Sequence, residues 1–221
     1  MPKSTWTAVD DYLTTKLISA DPVLEATLDA NHRAGLPSID VSPLQGKFLH
    51  LIAQIAGVKR ILEIGTLGGY STTWLARALP QNGRLISLEF EPKHVEVARK
   101  NIARAGLSEL VEIRQGAAAD SLAKLYAEDP SPFDLIFIDA DKPNNPVYLE
   151  WALKLSRKGT IIIVDNVIRN GEISSSASKD PKVQGTRTMF DMLSANPRLQ
   201  ATALQTVGSK GYDGFAMAVV S

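Results

Sequence analysis

From residue 60 onward the chain alternates short apolar runs with segments of helical periodicity. Five apolar runs predict strands, at residues 60–64, 84–89, 110–114, 134–139 and 160–165. Helices are predicted between them, at residues 70–79, 91–105, 117–127 and 146–155. Because strands joined by helical crossovers run parallel, this alternation predicts a parallel sheet with helices on both faces.

Different patterns flank this alternating part. Before residue 58 the sequence predicts helices, one over residues 10–19, one that begins at Asp21-Pro22, and one that opens with the capping box of Ser42 and Gln45. At the other end, residues 170–185 read as a polar loop and a helix follows near residues 186–193. Residues 201–207 and 214–220 predict an antiparallel hairpin joined by residues 208–213. We therefore expect a single domain over residues 1–221, with a helical region at 1–57 and a Rossmann-like core at 58–221.

The composition narrows the possible partners and compartments. Lysine plus arginine equals aspartate plus glutamate, at 24 each, so no excess of positive charge favours nucleic acid as a partner. The chain has no cysteine, which excludes disulfides and thiolate chemistry and fits a reducing compartment. The N-terminal segment lacks the apolar core of a signal peptide, and no apolar run approaches membrane-spanning length. We expect a soluble cytoplasmic protein that binds neither membranes nor nucleic acid.

Polar side chains stand at the ends of two of the most apolar predicted strands. Asp139 ends the fourth strand, and Asp165 and Asn166 end the fifth. Open α/β sheets bind their ligands at this carboxyl edge. Two carboxylates and an amide oxygen suit Mg²⁺, Mn²⁺ or Ca²⁺. Lys142 follows Asp139 closely enough to act as a base at the same place.

A glycine-rich turn follows the first strand and predicts a nucleoside site. Gly65 opens a G-x-x-G-G turn, and Glu89 ends the next strand, where an acid can accept hydrogen bonds from ribose hydroxyls. Dinucleotide enzymes usually carry G-x-G-x-x-G instead. Glu63 beside the turn would repel phosphates and favour a cationic ligand, so S-adenosylmethionine is preferred over NAD. An NAD-dependent oxidoreductase and a non-catalytic nucleoside-binding module remain the alternatives.

Five segments resemble the metal-dependent class I O-methyltransferases, the family that includes catechol and caffeoyl-CoA O-methyltransferases. They are residues 41–46 (VSPLQG), 62–71 (LEIGTLGGYS), 137–142 (FIDADK), 164–167 (VDNV) and 211–215 (GYDGF). The likeness extends over residues 21–220 and is stronger to the caffeoyl-CoA and bacterial members. It implies a Rossmann-like methyltransferase sandwich, with a seven-stranded, mostly parallel sheet and a C-terminal antiparallel hairpin strand.

The resemblance also implies roles for individual residues. A divalent cation, most simply Mg²⁺, would be held by Asp139, Asp165 and Asn166, with Lys142 as general base and Asp139 part of the catalytic set. The cofactor would be contacted by Val41, Glu63, Gly65, Ser71, Glu89, Phe90, Gly116, Ala117, Ala118, Asp139 and Asp141. The methyl acceptor would be contacted by Lys142, Asn166, Asn170 and Asp213. Where the catechol-type enzyme has polar side chains beside adenine this chain has Ala118 and Ala119, and Asp141 replaces a tryptophan of the acceptor pocket.

A single cation that holds two neighbouring oxygens predicts an ortho-dihydroxy aromatic acceptor, a phenolic small molecule of catechol type. A different natural product, such as an antibiotic or a hydroxamate, is the alternative acceptor. Similar proteins are commonly dimers, and an apolar helix before residue 58 fits a homodimer.

Overall fold

One seven-stranded sheet runs through the computed structural model, which describes residues 2–221; Met1 lies outside it. Its strands are β1 (Arg60–Ile64), β2 (Arg84–Glu89), β3 (Val111–Gln115), β4 (Phe133–Ile138), β5 (Ser156–Asp165), β6 (Leu199–Gly208) and β7 (Gly211–Val220). They lie in the order β3-β2-β1-β4-β5-β7-β6. Only the pairings of β7, with β5 and with β6, are antiparallel. The predicted Rossmann-like sheet and its reversed C-terminal strand are confirmed.

Eight α-helices surround this sheet in the described part of the chain. They are α1 (Lys3–Leu17), α2 (Pro22–Arg33), α3 (Pro43–Ile55), α4 (Tyr70–Ala76), α5 (Pro92–Arg104), α6 (Ala118–Glu128), α7 (Asn145–Lys154) and α8 (Pro181–Ala195). Short 3₁₀ turns cover Lys142–Asn144 and Arg169–Ser174. Three helices begin alike, because a side-chain oxygen of Asp21, Ser42 or Asp180 accepts a first-turn N–H and a proline follows. None of these helices combines the length and apolar character needed to cross a membrane.

The central strands β1 and β4 are buried on both faces, as expected for parallel strands covered by helices. Alternate residues of the central strands enter two separate apolar clusters. Leu62 and Ile136 pack on one side, whereas Ile61 and Phe137 pack on the other. All four are fully buried. This two-sided core fixes the strands whose carboxyl ends carry the polar residues described below.

Several predicted boundaries need correction. The last long helix begins at Pro181 rather than near residue 186, because Asp180 caps it and accepts a hydrogen bond from the Lys182 N–H at 2.8 Å. The predicted loop at 170–185 therefore contains a 3₁₀ turn and the start of a helix. The hairpin connection shrinks from residues 208–213 to residues 209–210, since both strands continue toward the turn. The first helix begins at Lys3, well before residue 10.

Helices α1 and α3 and the edge strand β6 leave apolar side chains in solvent. Helix α1 has no buried residue, and all but the end residues of β6 are exposed. In α3 the buried face is formed by Gly46, Leu49 and Ala53, so that Leu51 and Ile55 point outward. Ile55 is 82% exposed.

Candidate active site at the carboxyl edge of the sheet

The carboxyl ends of four neighbouring strands are tied to one another by backbone hydrogen bonds. Each bond runs from the residue after one strand to the carbonyl group near the end of the next: Gly65 N–H to Leu88 O at 2.9 Å, Gly116 N–H to Glu89 O at 2.9 Å, and Asp139 N–H to Ile64 O at 2.8 Å. The parallel pairing of β4 with β5 extends this edge to Asp165. The strand-end residues predicted from the sequence therefore share one edge.

The turn after β1 is built so that its backbone holds the acid at the end of β2. Glu89 is 8% exposed, and one carboxylate oxygen accepts hydrogen bonds from the N–H groups of Thr66 (3.2 Å) and Leu67 (2.8 Å). The other oxygen accepts the Glu91 N–H at 2.9 Å. These charge-assisted bonds fix the carboxylate against the glycine turn, where it could accept two hydroxyl groups of a ribose.

Glu63 lies fully buried under the same turn. The hydroxyl groups of Ser71 and Ser87 each donate a hydrogen bond to its carboxylate at 2.6 Å, and Thr72 donates a third. Burial raises the pKa of Glu63 to about 7, the hydroxyl donors oppose that rise, and the charge of Asp139 adds to it. The site thus contains a buried carboxyl group that a neighbouring cation would help to ionise.

Because the pKa of Glu63 is raised, the stability of the ligand-free protein should depend on pH. Because the pKa in the folded state lies above the ordinary value, the stabilising contribution of this group is complete below pH 4.5 and is lost as the pH rises toward about 7. In the parent, ionisation of Glu63 should lower the free energy of unfolding by on the order of 3 kcal/mol between about pH 4 and about pH 8. Glu63→Gln removes the ionising group, so this decrease should be absent in the variant. Urea titrations across this range measure it. Parallel pH curves for the variant and the parent would contradict it.

Asp139, Asp165 and Lys142 form the charged part of the edge. Lys142 is 6% exposed, and its ammonium group donates a hydrogen bond to Asp139 Oδ1 at 2.9 Å. Asp165 is 5% exposed; its Oδ1 accepts the Asn166 N–H at 2.8 Å and its Oδ2 accepts the Gln45 side-chain amide at 2.7 Å. Burial raises the pKa of Asp165, the charge of Asp139 raises it further, and Lys142 opposes the rise. One lysine thus faces two mutually repelling carboxylates.

This donor set fits a hard divalent cation. Residues 2–221 contain no group of three or more His, Cys, Asp or Glu side chains that could hold a metal. The third oxygen donor of the predicted set is an amide, that of Asn166, which directly follows Asp165. Two carboxylates that repel each other, one buried and one partly exposed, favour an added positive charge, and oxygen ligands suit Mg²⁺ or Ca²⁺. Asp139, Asp165 and Asn166 are therefore the residues that could hold one.

The other predicted cofactor contacts lie around the same edge. Phe90 follows Glu89 and is 66% exposed, an unusual state for a large apolar ring. Gly116, Ala117 and Ala118 lead from β3 into α6. The carboxylate of Asp141 accepts hydrogen bonds from the Tyr148 hydroxyl and the Asn144 amide, so its oxygens already have partners. The roles of these residues toward a cofactor stay predictions.

Asp213 ties the segment after Asp165 and Asn166 to β7. One of its carboxylate oxygens accepts the N–H groups of Ile168 (2.9 Å), Arg169 (3.1 Å) and Gly214 (3.0 Å). Asn170 lies exposed in this segment with φ 55°. Asp213 thus supports the loop that carries Asn170, and the predicted contact of either residue with the acceptor stays a prediction.

Two polar contacts were not predicted from the sequence. Gln45 reaches Asp165 across 120 positions of the chain. Asn101 donates hydrogen bonds to Gly68 O at 2.8 Å and to the side chain of Asn31 at 3.0 Å, which secures the glycine turn from outside. Neither contact leaves a local pattern, because each joins segments that are distant in sequence.

Two cavities lie at different positions relative to the carboxyl edge of the sheet. A cavity of about 640 Å³ lies at the opposite, amino end of the strands, lined by Arg60, Arg84 and Glu112 among others, and contains none of the predicted site residues. A smaller one of about 320 Å³ is lined by Val41, Asp40 and Asn31. Only the smaller cavity includes a predicted cofactor contact.

The sheet order, the glycine turn with its acid at the end of β2, and the carboxylates at the ends of β4 and β5 together define a class I methyltransferase. The sequence pattern of the O-methyltransferase family matches residues 17–217. The chain therefore belongs to the O-methyltransferase family of S-adenosylmethionine-dependent enzymes. The predicted enzyme class is confirmed.

Individual relatives agree with this assignment. A catechol O-methyltransferase of Niastella koreensis is 55% identical over 213 residues, which is 96% of each chain. An O-methyltransferase of Bacillus cereus, solved in complex with SAH, is 59% identical with a TM-score of 0.99 over 100% of both chains. TomG of Streptomyces achromogenes, described as involved in tomaymycin synthesis and solved with SAM, is 45% identical with a TM-score of 0.96 over 100% of this chain and 99% of its own.

Proposed function

We propose that the protein transfers a methyl group from S-adenosylmethionine to one hydroxyl of an ortho-dihydroxy aromatic compound, with the help of a divalent cation. One observation carries the proposal: Asp139, Asp165 and Lys142 meet at the strand edge beside the glycine turn. The relative from Niastella koreensis, which is called a catechol O-methyltransferase, supports the acceptor class.

The cofactor fits the residues of the turn. Glu89, held by three backbone N–H groups, would accept the ribose hydroxyls. Phe90 exposes a ring beside it that the adenine can cover. Glu63 and Ser71 lie under the turn, where a cationic amino acid group would stabilise the ionised form of Glu63. The two solved relatives with SAH and SAM support this choice.

When bound, a cation at Asp139, Asp165 and Asn166 would supply Lewis-acid stabilisation of the acceptor oxygen, and S-adenosylmethionine would supply the methyl group. Lys142 takes the proton from the acceptor hydroxyl. The ion pair with Asp139 fixes the position of the Lys142 side-chain nitrogen at this edge. The fixed strand ends then orient the two reactants.

Replacing Asp165 tests the cation. Asp165→Asn keeps the shape of the side chain but removes a charge from the donor set, so kcat/KM for catechol should fall at least about 10²-fold, and EDTA should abolish parent activity. Asp11→Asn, at an exposed position of α1, is the control and should leave kcat/KM unchanged. Product formation can be followed by chromatography. Undiminished activity in EDTA would refute the metal-dependent scheme.

A second acceptor class deserves a test because TomG, described as involved in tomaymycin synthesis, is also similar over the whole chain. The alternative is O-methylation of a non-catechol natural product. A screen with catechols, monophenols and hydroxamates, with products identified by NMR, distinguishes the two. Membership of the O-methyltransferase family rules out the alternative of an NAD-dependent oxidoreductase. A cytoplasmic location stays a prediction.

We also propose a homodimer through the exposed apolar surface of α1, α3 and β6. Helix α1 packs against both α3 and β6, which makes this surface continuous, and Leu17 and Leu204 are 65% and 54% exposed on it. Burying such side chains would favour association. Ile55→Lys should convert a dimer to a monomer in light scattering, whereas Tyr126→Lys on α6 should not. A monomeric parent would contradict the proposal.

A further inference from the structure

Gln45 departs from the role that its local sequence assigns to it. It stands three residues after Ser42, and its N–H donates to the Ser42 hydroxyl at 3.2 Å, which is the first half of a capping box. In the second half the glutamine side chain would return to the N–H of Ser42. Instead, the Gln45 side-chain amide donates a hydrogen bond at 2.7 Å to Oδ2 of Asp165.

The acceptor of this bond is a buried carboxylate. Asp165 is 5% exposed, so the direction of its side chain is set by the few groups that contact it. Within residues 2–221, its other oxygen accepts a hydrogen bond only from the N–H of Asn166, the next residue. Gln45 is therefore the long-range contact that fixes the direction of this side chain, and it comes from α3, outside the Rossmann-like core.

We propose that Gln45 is a positioning residue that pre-orients Asp165 for the cation, so that helix α3 takes part in the metal site. This inference rests on the proposed metal-dependent function. A neutral amide donor orients the carboxylate without cancelling its charge, whereas a lysine or arginine there would compete with the cation. Partners that orient metal ligands in this way typically change metal affinity when they are lost.

The experiment measures metal binding without turnover. Gln45→Met removes the amide and keeps the length of the side chain, and Gln54→Met makes the same exchange at an exposed position of α3. Mn²⁺ titration of the metal-free protein, followed by electron paramagnetic resonance, gives the dissociation constant. We expect Gln45→Met to weaken Mn²⁺ binding about 10-fold and Gln54→Met to leave it unchanged. S-adenosylmethionine affinity, measured separately, should be unchanged in both.

Activity adds a readout that a purely structural role would not change. The Mn²⁺ concentration for half-maximal activity should rise in Gln45→Met by the same factor as the dissociation constant, while kcat at saturating Mn²⁺ returns close to the parent value. Unchanged Mn²⁺ binding in Gln45→Met, or a loss of kcat that saturating Mn²⁺ does not restore, would overturn the inference.

The two proposals fail in different ways. If the parent binds Mn²⁺ and Asp165→Asn abolishes binding, but Gln45→Met is silent, only the role of Gln45 is wrong. If the parent does not bind Mn²⁺ at all, the metal-dependent function fails and the role of Gln45 falls with it. A lower thermal stability of metal-free Gln45→Met with unchanged Mn²⁺ affinity would make Gln45 a structural contact and would also overturn the inference.

Discussion

Lys142→Met is expected to lower kcat for methyl transfer by about 10²–10⁴-fold, the usual contribution of a positioned general base. Methionine fills a similar volume but cannot accept the proton of the acceptor hydroxyl. Lys142 is almost fully buried and donates a hydrogen bond to Asp139, so its side chain is held at the strand edge. The residual rate should increase with pH, because solvent species must then remove the proton.

The same variant should keep its metal and its cofactor. Removing the ammonium group relieves competition for Asp139, so Mn²⁺ affinity should be equal to or tighter than that of the parent. Lys100→Met is the matched control, since Lys100 also pairs with a carboxylate, Glu96, but both side chains are nearly 70% exposed. Steady-state kinetics with a catechol give kcat for the parent and both variants. If Lys142→Met retained more than about a tenth of the parent kcat, the general-base role would be excluded.

The sheet and the position of its site were predictable because both depend on short-range patterns. Each apolar run that ends in Glu89, Asp139 or Asp165 is a strand in the structure, and the parallel arrangement sends all three to one edge. The pattern works because a strand buried on both faces must be apolar throughout. A charged side chain inside such a strand needs buried hydrogen-bond partners, which Glu63 of β1 has in Ser71 and Ser87, whereas acids at a strand end can face solvent or a ligand.

The start of α8 and the contact of Gln45 with Asp165 were not predicted, for two different reasons. The early start of α8 carried a local signal, since Asp180-Pro181 repeats the capping pattern of Asp21-Pro22, but the polar composition of the segment favoured a loop. The local sequence around Gln45 predicted a different role for its side chain, that of the second partner in a capping box. A capping box and a contact with Asp165 use the same side chain, and only the folded chain selects between them. Tertiary contacts thus override a valid local pattern.

The acid at the end of β2 illustrates how the fold produces function. The proposed contact of Glu89 with a nucleoside requires a carboxylate of fixed orientation, and the N–H groups of Thr66 and Leu67 fix it. Leu67 adopts a left-handed conformation in this turn, with φ 49°. On the outer side of the turn, Asn101 donates one hydrogen bond to Gly68 O and another to the side chain of Asn31. The proposed cofactor site is therefore supported by residues outside the set predicted to contact the cofactor.

Gly65→Ala should destabilise the protein by about 3 kcal/mol or more, through strain and overlap at one position. Gly65 has φ +100°, a conformation that alanine rarely adopts, and an added Cβ would stand 2.1 Å from the carbonyl oxygen of Asp139. The clash is with backbone and cannot be relieved by rotating a side chain. The strand end that carries Asp139 must therefore move, and Mn²⁺ binding should weaken together with stability.

Gly57→Ala separates the effect of backbone strain from the effect of steric overlap. Gly57 also has a positive φ, of +60°, but nothing lies within 4 Å of an added Cβ, so only conformational strain of about 1 kcal/mol is expected. Urea denaturation of both variants gives the difference, and Mn²⁺ titration shows whether it reaches the site. Equal destabilisation would mean that the chain relaxes around Gly65 without disturbing Asp139. A larger effect at Gly65 accompanied by weaker Mn²⁺ binding would show that the tight packing of this turn against the end of β4 holds the metal ligand in place.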